Sequence, residues 1–368
     1  MQLSAIILSA GRSSRLPGFK PLLPLDGMTM LARAANLFRT ANVNDIIAVT
    51  GYRADEVKDE ALRNGIRPVL NPHYEDGMLS SVLAGLAALP LDTDAVFVLP
   101  VDMPLLRTET VRALAERMRH TQAQALIPTF HTKPGHPPLL RTMALPRIRD
   151  WKGENGLAGA LTAIDYEEVP VADRHILFDV DDDAAFAEAM TRVTRQDVAT
   201  PAEALALLDL HDAGERGHAH ARGVADVALA LGRALNACGY GLDLELMESA
   251  ALLHDIAKGH SEHEKIGGAL LYELGYPHQA AIIAAHRDID PAGLTRPTER
   301  ELVYLADKLV RGPQLVGVAQ RFQEKLDHFA HDEAACEAIM RRQQHAQEMI
   351  SLVEKCAKSS LQKILSSI

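Results

Sequence analysis

Histidines and aspartates that could bind a metal ion are concentrated in the second half of the chain. His254-Asp255 directly follows the apolar run Ala250–Leu253. Burying an imidazole and a carboxylate costs several kcal/mol unless both are paired or bind a metal, so a structural His–Asp hydrogen bond is the alternative. Imidazole and carboxylate together suit Mn, Fe, Zn or Mg. The candidate ligands are His220, His254, Asp255, His263, His286 and Asp307.

A second group of chemically competent residues lies in the loop from Ser9 to Lys20. This loop combines small residues with three cations, Arg12, Arg15 and Lys20. Small residues let backbone N–H groups approach phosphate oxygens, and the cations can neutralise a triphosphate. The spacing fits neither the G-x-G-x-x-G dinucleotide fingerprint nor the G-K-[ST] ending of a P-loop. The pattern therefore indicates a phosphate-binding loop, with a solvated basic loop as the alternative.

The elements that must position these residues differ between the two halves. In the first half, short apolar runs predict buried strands, and the segments between them predict helices. The predicted strands are Ala5–Leu8, Ile46–Val49, Ala95–Leu99 and Ala125–Ile127, and the predicted helices are Thr29–Thr40, Asp55–Asn64, Leu79–Ala88 and Thr108–His120. This alternation indicates an α/β sandwich with a mostly parallel sheet. Such sheets bind ligands at the carboxyl ends of their strands, where the loop begins.

The second half is predicted to be all-α. Helical periodicity covers Pro201–Asp209, Val224–Cys238, Leu244–Ala257, Glu264–Leu274, Gln279–His286, Glu299–Val310 and the tail Glu337–Ile368. Pro201 suits a first helical turn with Thr200 as its cap. We therefore predict two domains, residues 1–198 and 199–368. We expect the tail to pack against its domain or to form a contact in a homo-oligomer.

Composition limits the class of protein. The 368 residues include 47% apolar and 24% charged residues, and the formal net charge is −11. This balance argues against nucleic acid as a partner, because a phosphate backbone attracts a cationic surface. The three cysteines lack Cys-x-x-Cys spacing and predict no disulfide framework. No apolar run reaches the ~18 residues of a membrane span, so we expect a cytoplasmic protein without a membrane partner.

The loop resembles the signature loop of the pyrophosphorylase-type nucleotidyltransferases, most closely the molybdenum cofactor guanylyl- and cytidylyltransferases. The family pattern is L-(A/G)-(A/G)-G-x-S-x-R-(M/L)-G-x-x-K, which Gly11, Ser13, Arg15 and Lys20 fit and from which Pro17-Gly18 departs. The resemblance gives Arg15 and Lys20 a role in catalysis. The nucleotide-binding residues that it implies here are Ser9, Ala10, Gly11, Arg12, Ser13, Arg15 and Lys20.

Two further segments resemble parts of the same family that contact the substrates. Gly77–Leu86 resembles the helix start beside the nucleotide base, where Ser80 and Ser81 would cap the helix and bind the nucleotide. Gly135–Pro138 lies where the family has its acceptor pocket, although a simple proline-rich turn explains this segment equally well.

Carboxylates that resemble the family's magnesium ligands follow later in the chain. Val98–Leu105 contains a buried strand that ends in Asp102, which the resemblance makes a catalytic residue and a Mg²⁺ ligand. Phe178–Asp183 resembles the closing D-I-D-T-P-E-D segment without its Thr-Pro pair. Either Asp179 or Asp181 would therefore provide the second Mg²⁺ contact.

The implied reaction is attack of a phosphorylated acceptor on the α-phosphorus of a nucleoside triphosphate, with release of pyrophosphate. The resemblance makes molybdopterin the acceptor. Guanylyl enzymes usually read Leu-Ala-Gly-Gly at the loop start, whereas this chain reads Leu8-Ser9-Ala10-Gly11, which favours CTP over GTP. The alternative is a nucleotidyltransferase for a sugar phosphate or another small molecule.

The second half resembles the HD superfamily of metal-dependent phosphohydrolases. His220–Ala225 matches its first helix, Leu253–Lys258 its naming motif, and Leu305–Lys308 its final metal aspartate. The resemblance implies hydrolysis of a phosphoester by metal-activated water, with His254 and Asp255 in catalysis. It assigns the first metal to His220, His254, Asp255 and Asp307, and His263 and His286 resemble the extra ligands of members with two metals. The alternative is a nucleotide-binding regulatory module without turnover.

Overall fold

A computed structural model of the chain describes residues 1–12, 16, 18–366 and 368. These residues form two compact units, Met1–Gln196 and Asp197–Ile368. Ser13 and Arg15 of the predicted nucleotide loop lie outside the described residues.

The first unit is built around an eight-stranded mixed sheet. The strands of this unit are β1 (Leu3–Ser9), β2 (Pro24–Leu25), β3 (Met28–Thr29), β4 (Asp45–Thr50), β5 (Arg67–Leu70), β6 (Ala95–Pro100), β7 (Ala125–Phe130), β8 (Lys133–Pro134), β9 (Leu139–Arg141) and β10 (Tyr166–Pro170). The order in the sheet is β10-β7-β9-β6-β1-β4-β5, with β8 paired to β7, while β2 and β3 form a separate hairpin. β6, β1, β4 and β5 run parallel, as do β7 and β10, and β9 is antiparallel to β6 and β7.

Helices connect these strands. They are α1 (Met30–Thr40), α2 (Ala54–Arg63), α3 (Met78–Ala87), α4 (Thr108–His120), α5 (Leu145–Arg149), α6 (Gly156–Thr162) and α7 (Asp183–Val193), with 3₁₀ turns at Lys20–Leu22, Tyr74–Asp76, Thr142–Ala144 and Arg174–Leu177. The four predicted strands all lie within observed strands, and their apolar residues except Ile127 are buried because the central strands are covered on both faces. The predicted α/β domain with a mostly parallel sheet is confirmed.

The second unit is almost entirely helical, as predicted. Its helices are α8 (Pro201–Leu210), α9 (Gly214–Asn236), α10 (Leu244–Leu253), α11 (His263–Glu273), α12 (Pro277–Ala284), α13 (Glu299–Leu309), α14 (Val318–His328), α15 (Glu333–Ala357) and α16 (Leu361–Leu365), and β11 (Val310–Arg311) pairs with β12 (Gln314–Leu315). Among the helices of the described residues, none is apolar over a length that could cross a bilayer.

Most predicted helix boundaries shift by a few residues, and two of the differences concern the helices next to predicted metal ligands. α9 begins at Gly214 rather than Val224, because its first ten residues lack large apolar side chains and have no readable periodicity. α10 ends at Leu253 rather than Ala257, so His254 and Asp255 lie in the turn that follows it.

The start of α8 confirms the predicted cap. The Thr200 backbone N–H donates to Glu203 Oε2 (2.8 Å), and the Glu203 backbone N–H donates to Thr200 Oγ1 (3.3 Å). Both residues are buried, so water cannot replace these two hydrogen bonds. Pro201 occupies the first helical turn, where its missing N–H has no cost.

Thr200→Ala should therefore lower the free energy of unfolding of the second unit by about 1–2 kcal/mol, the usual effect of losing a helix cap. Scanning calorimetry would measure the loss. Thr200→Ser is the matched control, because it keeps the capping oxygen and should stay close to the wild type. An unchanged transition in Thr200→Ala would contradict a stabilising role of the cap.

Candidate active sites

The carboxyl ends of β1 and β6 lie side by side because the two strands pair in parallel. Leu8 is aligned with Pro100, and the Val101 backbone N–H donates to the Leu8 carbonyl (3.1 Å). The described start of the loop that follows β1, Ala10 and Gly11, therefore lies beside Asp102. A cavity of about 280 Å³ opens at this edge of the sheet. The predicted residues that line it are Ser9, Ala10, Gly11, Lys20, Ser81 and Asp102.

Lys20 links two carboxylates at this cavity. Its Nζ lies 2.9 Å from Asp102 Oδ2 and 2.6 Å from Asp181 Oδ1. Burial lowers the pKa of Lys20, but hydrogen bonds to Asp181 and Asp102 outweigh this effect and raise the pKa above its usual value. Lys20 is therefore a cation. Two carboxylates that share one ammonium group lie close enough together to share a divalent cation, and oxygen ligands of this kind suit Mg²⁺.

Two predicted residues make other interactions. Asp179 is exposed and lies within electrostatic range of His136, whereas Lys20 contacts Asp181. Arg12 is exposed and pairs with Glu75, whose hydrogen bond raises the pKa of Arg12. Arg12 is not among the described residues that line the cavity, because its flexible side chain reaches a nearby surface carboxylate.

The predicted helix cap at Ser80 and Ser81 is wrong. The cap of α3 is Gly77, whose positive φ of 98° favours glycine. The two serines lie within the first turns, where the Ser80 hydroxyl donates to the Gly77 carbonyl (2.8 Å). Asn71 Nδ2 donates to the hydroxyls of Ser80 (2.8 Å) and Ser81 (3.0 Å). Asn71 was missed because a single asparagine after a strand has no diagnostic spacing.

A larger cavity of about 720 Å³ adjoins the first. The two cavities share Leu8, Gly77 and Met78. Gly135, His136 and Pro138 of the predicted acceptor segment line the larger one, mostly among apolar side chains. His136 Nδ1 is buried without a hydrogen-bond partner among the described residues. Burial lowers the pKa of His136, so this imidazole is a neutral group that could bind a ligand.

The second unit brings all six predicted metal ligands together. They are His220 on α9, His254 and Asp255 after α10, His263 at the start of α11, His286 after α12 and Asp307 on α13. Two groups have ligand atoms within 4.8 Å of one another: His220, His254 and Asp255 form one, and Asp255, His263 and His286 form the other. Asp255 belongs to both groups.

Each of the four histidines directs Nε2 towards the carboxylates, and its Nδ1, on the opposite side of the ring, faces an oxygen atom of another group. In three of them Nδ1 faces a backbone carbonyl: Gly312 for His220 (3.2 Å), Ala251 for His254 (2.7 Å) and Ile283 for His286 (2.7 Å). A carbonyl can only accept, so we assign the proton to Nδ1 and the lone pair to Nε2. In His263, Nδ1 faces the Glu264 carboxylate at 3.7 Å. Outer partners of this kind orient histidines that bind metals.

The two oxygens of Asp255 face different histidines. Oδ2 lies 3.5 Å from His254 Nε2 and 3.8 Å from His220 Nε2. Oδ1 lies 3.3 Å from His263 Nε2 and 3.6 Å from His286 Nε2. This arrangement fits two neighbouring cations that share one bridging carboxylate.

Asp307 completes the first group. Its Oδ1 lies 3.6 Å from His220 Nε2 and 3.8 Å from His254 Nε2. Lys308 Nζ contacts Asp307 Oδ2 at 2.6 Å, and Arg321 Nη2 contacts Oδ1 at 3.2 Å. Burial raises the pKa of Asp307, but Lys308 and the other neighbours outweigh it and hold the pKa well below its usual range. The Asp307 carboxylate is therefore ionised, as a metal ligand must be.

His254 gives the most direct indication of a bound cation. Its Nε2 is buried and has no hydrogen-bond partner among the described residues. Burial lowers the pKa of His254 to about 4, although Asp255 and Asp307 act in the opposite direction. A neutral imidazole with a free, buried lone pair is the form that binds a metal ion.

Comparison with known proteins finds relatives of both units. Residues 5–169 match the family described as MobA-like NTP transferase domain, and residues 217–312 match the HD domain. Molybdenum cofactor cytidylyltransferase of Escherichia coli (strain K12) is 30% identical over 194 residues, which are 52% of this chain and 97% of that protein. Bifunctional protein GlmU of Geotalea uraniireducens (strain Rf4) is 31% identical over 140 residues, 36% of this chain and 30% of that protein. A solved nucleotidyl transferase from Methanothermobacter thermautotroptrophicus is 22% identical, with a TM-score of 0.47, covering 53% of this chain and 98% of that one.

The depressed pKa of His254 predicts how pH affects the metal-free protein. An unfolded histidine titrates near pH ~6.5, whereas folded His254 titrates at about 4. Between these values the unfolded state binds the proton more readily. The contribution of His254 to stability is therefore complete above pH ~6.5 and decreases as the pH falls towards the folded pKa.

This pH dependence can be measured on protein freed of metal with a chelator. Urea unfolding is carried out at several pH values, and hydrogen exchange reports on the second unit. His254→Gln should flatten the dependence. His260→Gln, which changes an exposed histidine nearby, should preserve it. Equal slopes in the wild type and His254→Gln would contradict the assignment of a neutral, buried His254.

Proposed function

Because the chain belongs to the MobA-like nucleotidyltransferases and also carries an HD domain, we propose that it is a bifunctional enzyme. The first unit transfers CMP from CTP to a molybdopterin-type acceptor and releases pyrophosphate, with Mg²⁺ as its cofactor. The second unit hydrolyses a phosphoester at a centre of divalent metal ions.

The contact of Lys20 with Asp102 and Asp181 is the observation that carries the first proposal. Asp102 and Asp181 would hold Mg²⁺, which supplies positive charge against the triphosphate. Lys20 is a mostly buried cation beside the same cavity, and it would stabilise the negative charge that develops on the leaving pyrophosphate. The backbone of Ser9–Gly11 would bind phosphate oxygens where it lines the cavity.

The larger cavity supports the choice of a separate acceptor site, because it opens beside the nucleotide cavity and contains the His136 segment. Ala10 supports CTP over GTP, as does the similarity to a molybdenum cofactor cytidylyltransferase over nearly its whole length. The second candidate acceptor is a sugar phosphate or another small phosphorylated molecule, which the same loop and carboxylates could serve.

Pyrophosphate release should depend on molybdopterin and Mg²⁺ and should be fastest with CTP among CTP, GTP, ATP and UTP. Lys20→Ala should lower this rate about 100-fold or more, because it removes charge stabilisation in the transition state. Asp181→Asn should also lower it strongly, because it weakens the proposed Mg²⁺ site. Initial rates from a coupled pyrophosphate assay give all these comparisons.

Two matched variants sharpen this test. Lys133→Ala removes an exposed lysine of the same unit and should keep a near-normal rate. Asp179→Asn removes the exposed carboxylate two residues before Asp181 and should lower the rate less than Asp181→Asn, because Lys20 contacts Asp181. A clear preference for GTP would overturn the cytidylyl assignment. Turnover with a sugar phosphate but not with molybdopterin would favour the second candidate acceptor.

The second proposal rests on the two groups of ligands that share Asp255, which we call half-sites. His220, His254, Asp255 and Asp307 would hold one ion, and Asp255, His263 and His286 the other; Mn, Fe, Zn and Mg all suit these ligands. Bound metal would lower the pKa of a water molecule and so make it a nucleophile. Lys258 is exposed beside Asp255, and Arg287 is exposed beside Glu264, so both could bind the phosphate of a substrate.

A regulatory module without turnover is the competing function for the second unit. Such a module would need to bind a nucleotide, but it would not need two half-sites with inward-facing histidines. The carbonyl contacts of Nδ1 and the Nε2 of His254, which has no hydrogen-bond partner in the described part of the chain, therefore favour a metal-dependent hydrolase.

The number of metal ions bound by each variant should depend on which half-site the substitution removes. Asp255→Ala should lose both ions, because it removes the shared ligand, whereas His263→Ala should lose the second ion and keep the first. Both variants should lose phosphatase activity and retain pyrophosphate release by the first unit. Mass spectrometry of the metals, a generic phosphatase assay and the pyrophosphate assay measure these effects.

His260→Gln serves as the control, because it removes an exposed histidine close to these ligands. Asp102→Ala tests the first unit in the same way: it should lose pyrophosphate release, but it should keep both metal ions of the second unit and the phosphatase activity. If either Asp255→Ala or Asp102→Ala abolished both activities in a folded protein, two independent sites would be excluded. Full metal content in the wild type without turnover of any phosphoester would favour the regulatory module.

A further inference from the structure

The larger cavity of the first unit follows a row of residues that runs across the sheet. The pairing of β9 with β6 and with β7 places Pro138 beside both Val98 and Ile127, and the Val98 backbone N–H donates to the Pro138 carbonyl (3.1 Å). Ile127 is aligned in turn with Glu168 on β10. All four residues line the cavity of about 720 Å³. The row therefore forms one wall of this cavity.

The two ends of the cavity lie on different strands. At one end it shares Leu8, Gly77 and Met78 with the nucleotide cavity. The other end lies at β10, the edge strand of the sheet, where Tyr166 and Glu168 line it. Four strand spacings separate β1 from β10, which is ~19 Å at the usual spacing of ~4.8 Å. A ligand that extends from the nucleotide cavity to β10 must therefore be long.

Between its two ends the cavity is lined by apolar side chains. Val98 and Ile127 line it from the sheet, whereas Leu79 on α3 and Leu157 and Leu161 on α6 line it from the two helices. α3 and α6 pack against each other. An apolar space between a sheet and two helices suits the flat body of a fused ring system, because burial of the ring surface is favourable.

Glu168 adds a carboxylate at the β10 end of this apolar space. Successive side chains of a strand point to opposite faces of the sheet. The neighbouring Glu167 accepts hydrogen bonds from Arg117 Nε (2.5 Å) and Thr121 Oγ1 (2.8 Å). In the described part of the chain, no such donor or cation contacts the carboxylate of Glu168, which is exposed. Because an ionised carboxylate can only accept hydrogen bonds, a ligand group bound here must be a donor.

We propose that Glu168 determines which acceptor is bound, by accepting hydrogen bonds from the amino group and the adjacent ring N–H of a pterin. Two adjacent N–H donors match the two oxygens of one carboxylate, as they do in a bidentate arginine–carboxylate pair. A sugar phosphate with its phosphate at the nucleotide cavity is too short to reach β10, so this assignment favours a pterin over the second candidate acceptor. The inference rests on the proposed transfer function of the first unit.

The test compares the binding of pterin with that of lumazine, a pteridine that has a carbonyl oxygen where pterin has its amino group. Both compounds fluoresce, so titration of the full chain gives each Kd, with CTP and Mg²⁺ present to occupy the nucleotide cavity. The wild type should bind pterin about tenfold more tightly, because lumazine lacks one hydrogen bond to the carboxylate. Glu168→Gln should lose most of this preference, and Glu168→Asp, which keeps the carboxylate, should retain part of it.

Glu167→Gln is the matched control, because it changes the adjacent carboxylate on the other face of the strand and should keep the preference of the wild type. Equal affinities in the wild type, no binding of either compound, or an unchanged preference in Glu168→Gln would overturn the proposal.

Kinetics give a second readout of the same variant. Glu168→Gln should raise KM for molybdopterin about tenfold, while kcat and KM for CTP stay near the wild-type values. An unchanged KM for molybdopterin would contradict the role of Glu168. If the wild type releases no pyrophosphate with molybdopterin, the proposed transfer function fails separately, and the binding preference for pterin over lumazine still decides the role of Glu168.

Discussion

Carboxylates that lie close together and away from bulk water must be neutralised, and both candidate sites are organised around this requirement. Like charges at short distance repel strongly where the effective dielectric constant is low. In the first unit Lys20 joins Asp102 and Asp181. In the second unit four histidines surround Asp255, while Lys308 and Arg321 hold Asp307. Carboxylates arranged in this way bind cations, and bound cations in turn attract phosphate groups.

The backbone explains how the chain holds these groups in place. In the first unit, parallel pairing places the ends of β1 and β6 at one edge, so that distant sequence segments meet there without a long connecting element. In the second unit, the Nδ1 atoms of His254 and His286 are each held by a carbonyl three residues earlier. A histidine just after a helix thus uses a carbonyl of the preceding turn and presents Nε2 to the centre. The secondary structure itself therefore fixes the ligands.

The sequence predicted the fold class from local apolar patterns, and it predicted the gathering of the HD-type ligands through the resemblance of three motifs to the HD superfamily. Buried strands such as β1 and β6 are short apolar runs, and His254-Asp255 follows one as well. The sequence could not decide between Asp179 and Asp181, because they differ by two residues and only the path of the chain determines which one meets Lys20. It also missed α14, whose amphipathic pattern is carried by few apolar residues, and with it Arg321, which contacts Asp307. The cap assigned to Ser80 and Ser81 failed because Gly77, which needs its positive φ, starts that helix instead.

The proposed metal centre of the second unit depends on a residue outside its own set of ligands. The proposed ligands lie between His220 and Asp307, on α9 to α13 and in the turns between them, whereas Arg321 belongs to α14. Arg321 donates to the Asp307 carbonyl and contacts the Asp307 carboxylate, so it holds this residue from a helix that follows the segment 217–312 matching the HD domain. A substitution at Arg321 would therefore disturb the proposed metal site without altering a ligand, because the position of Asp307 depends on it.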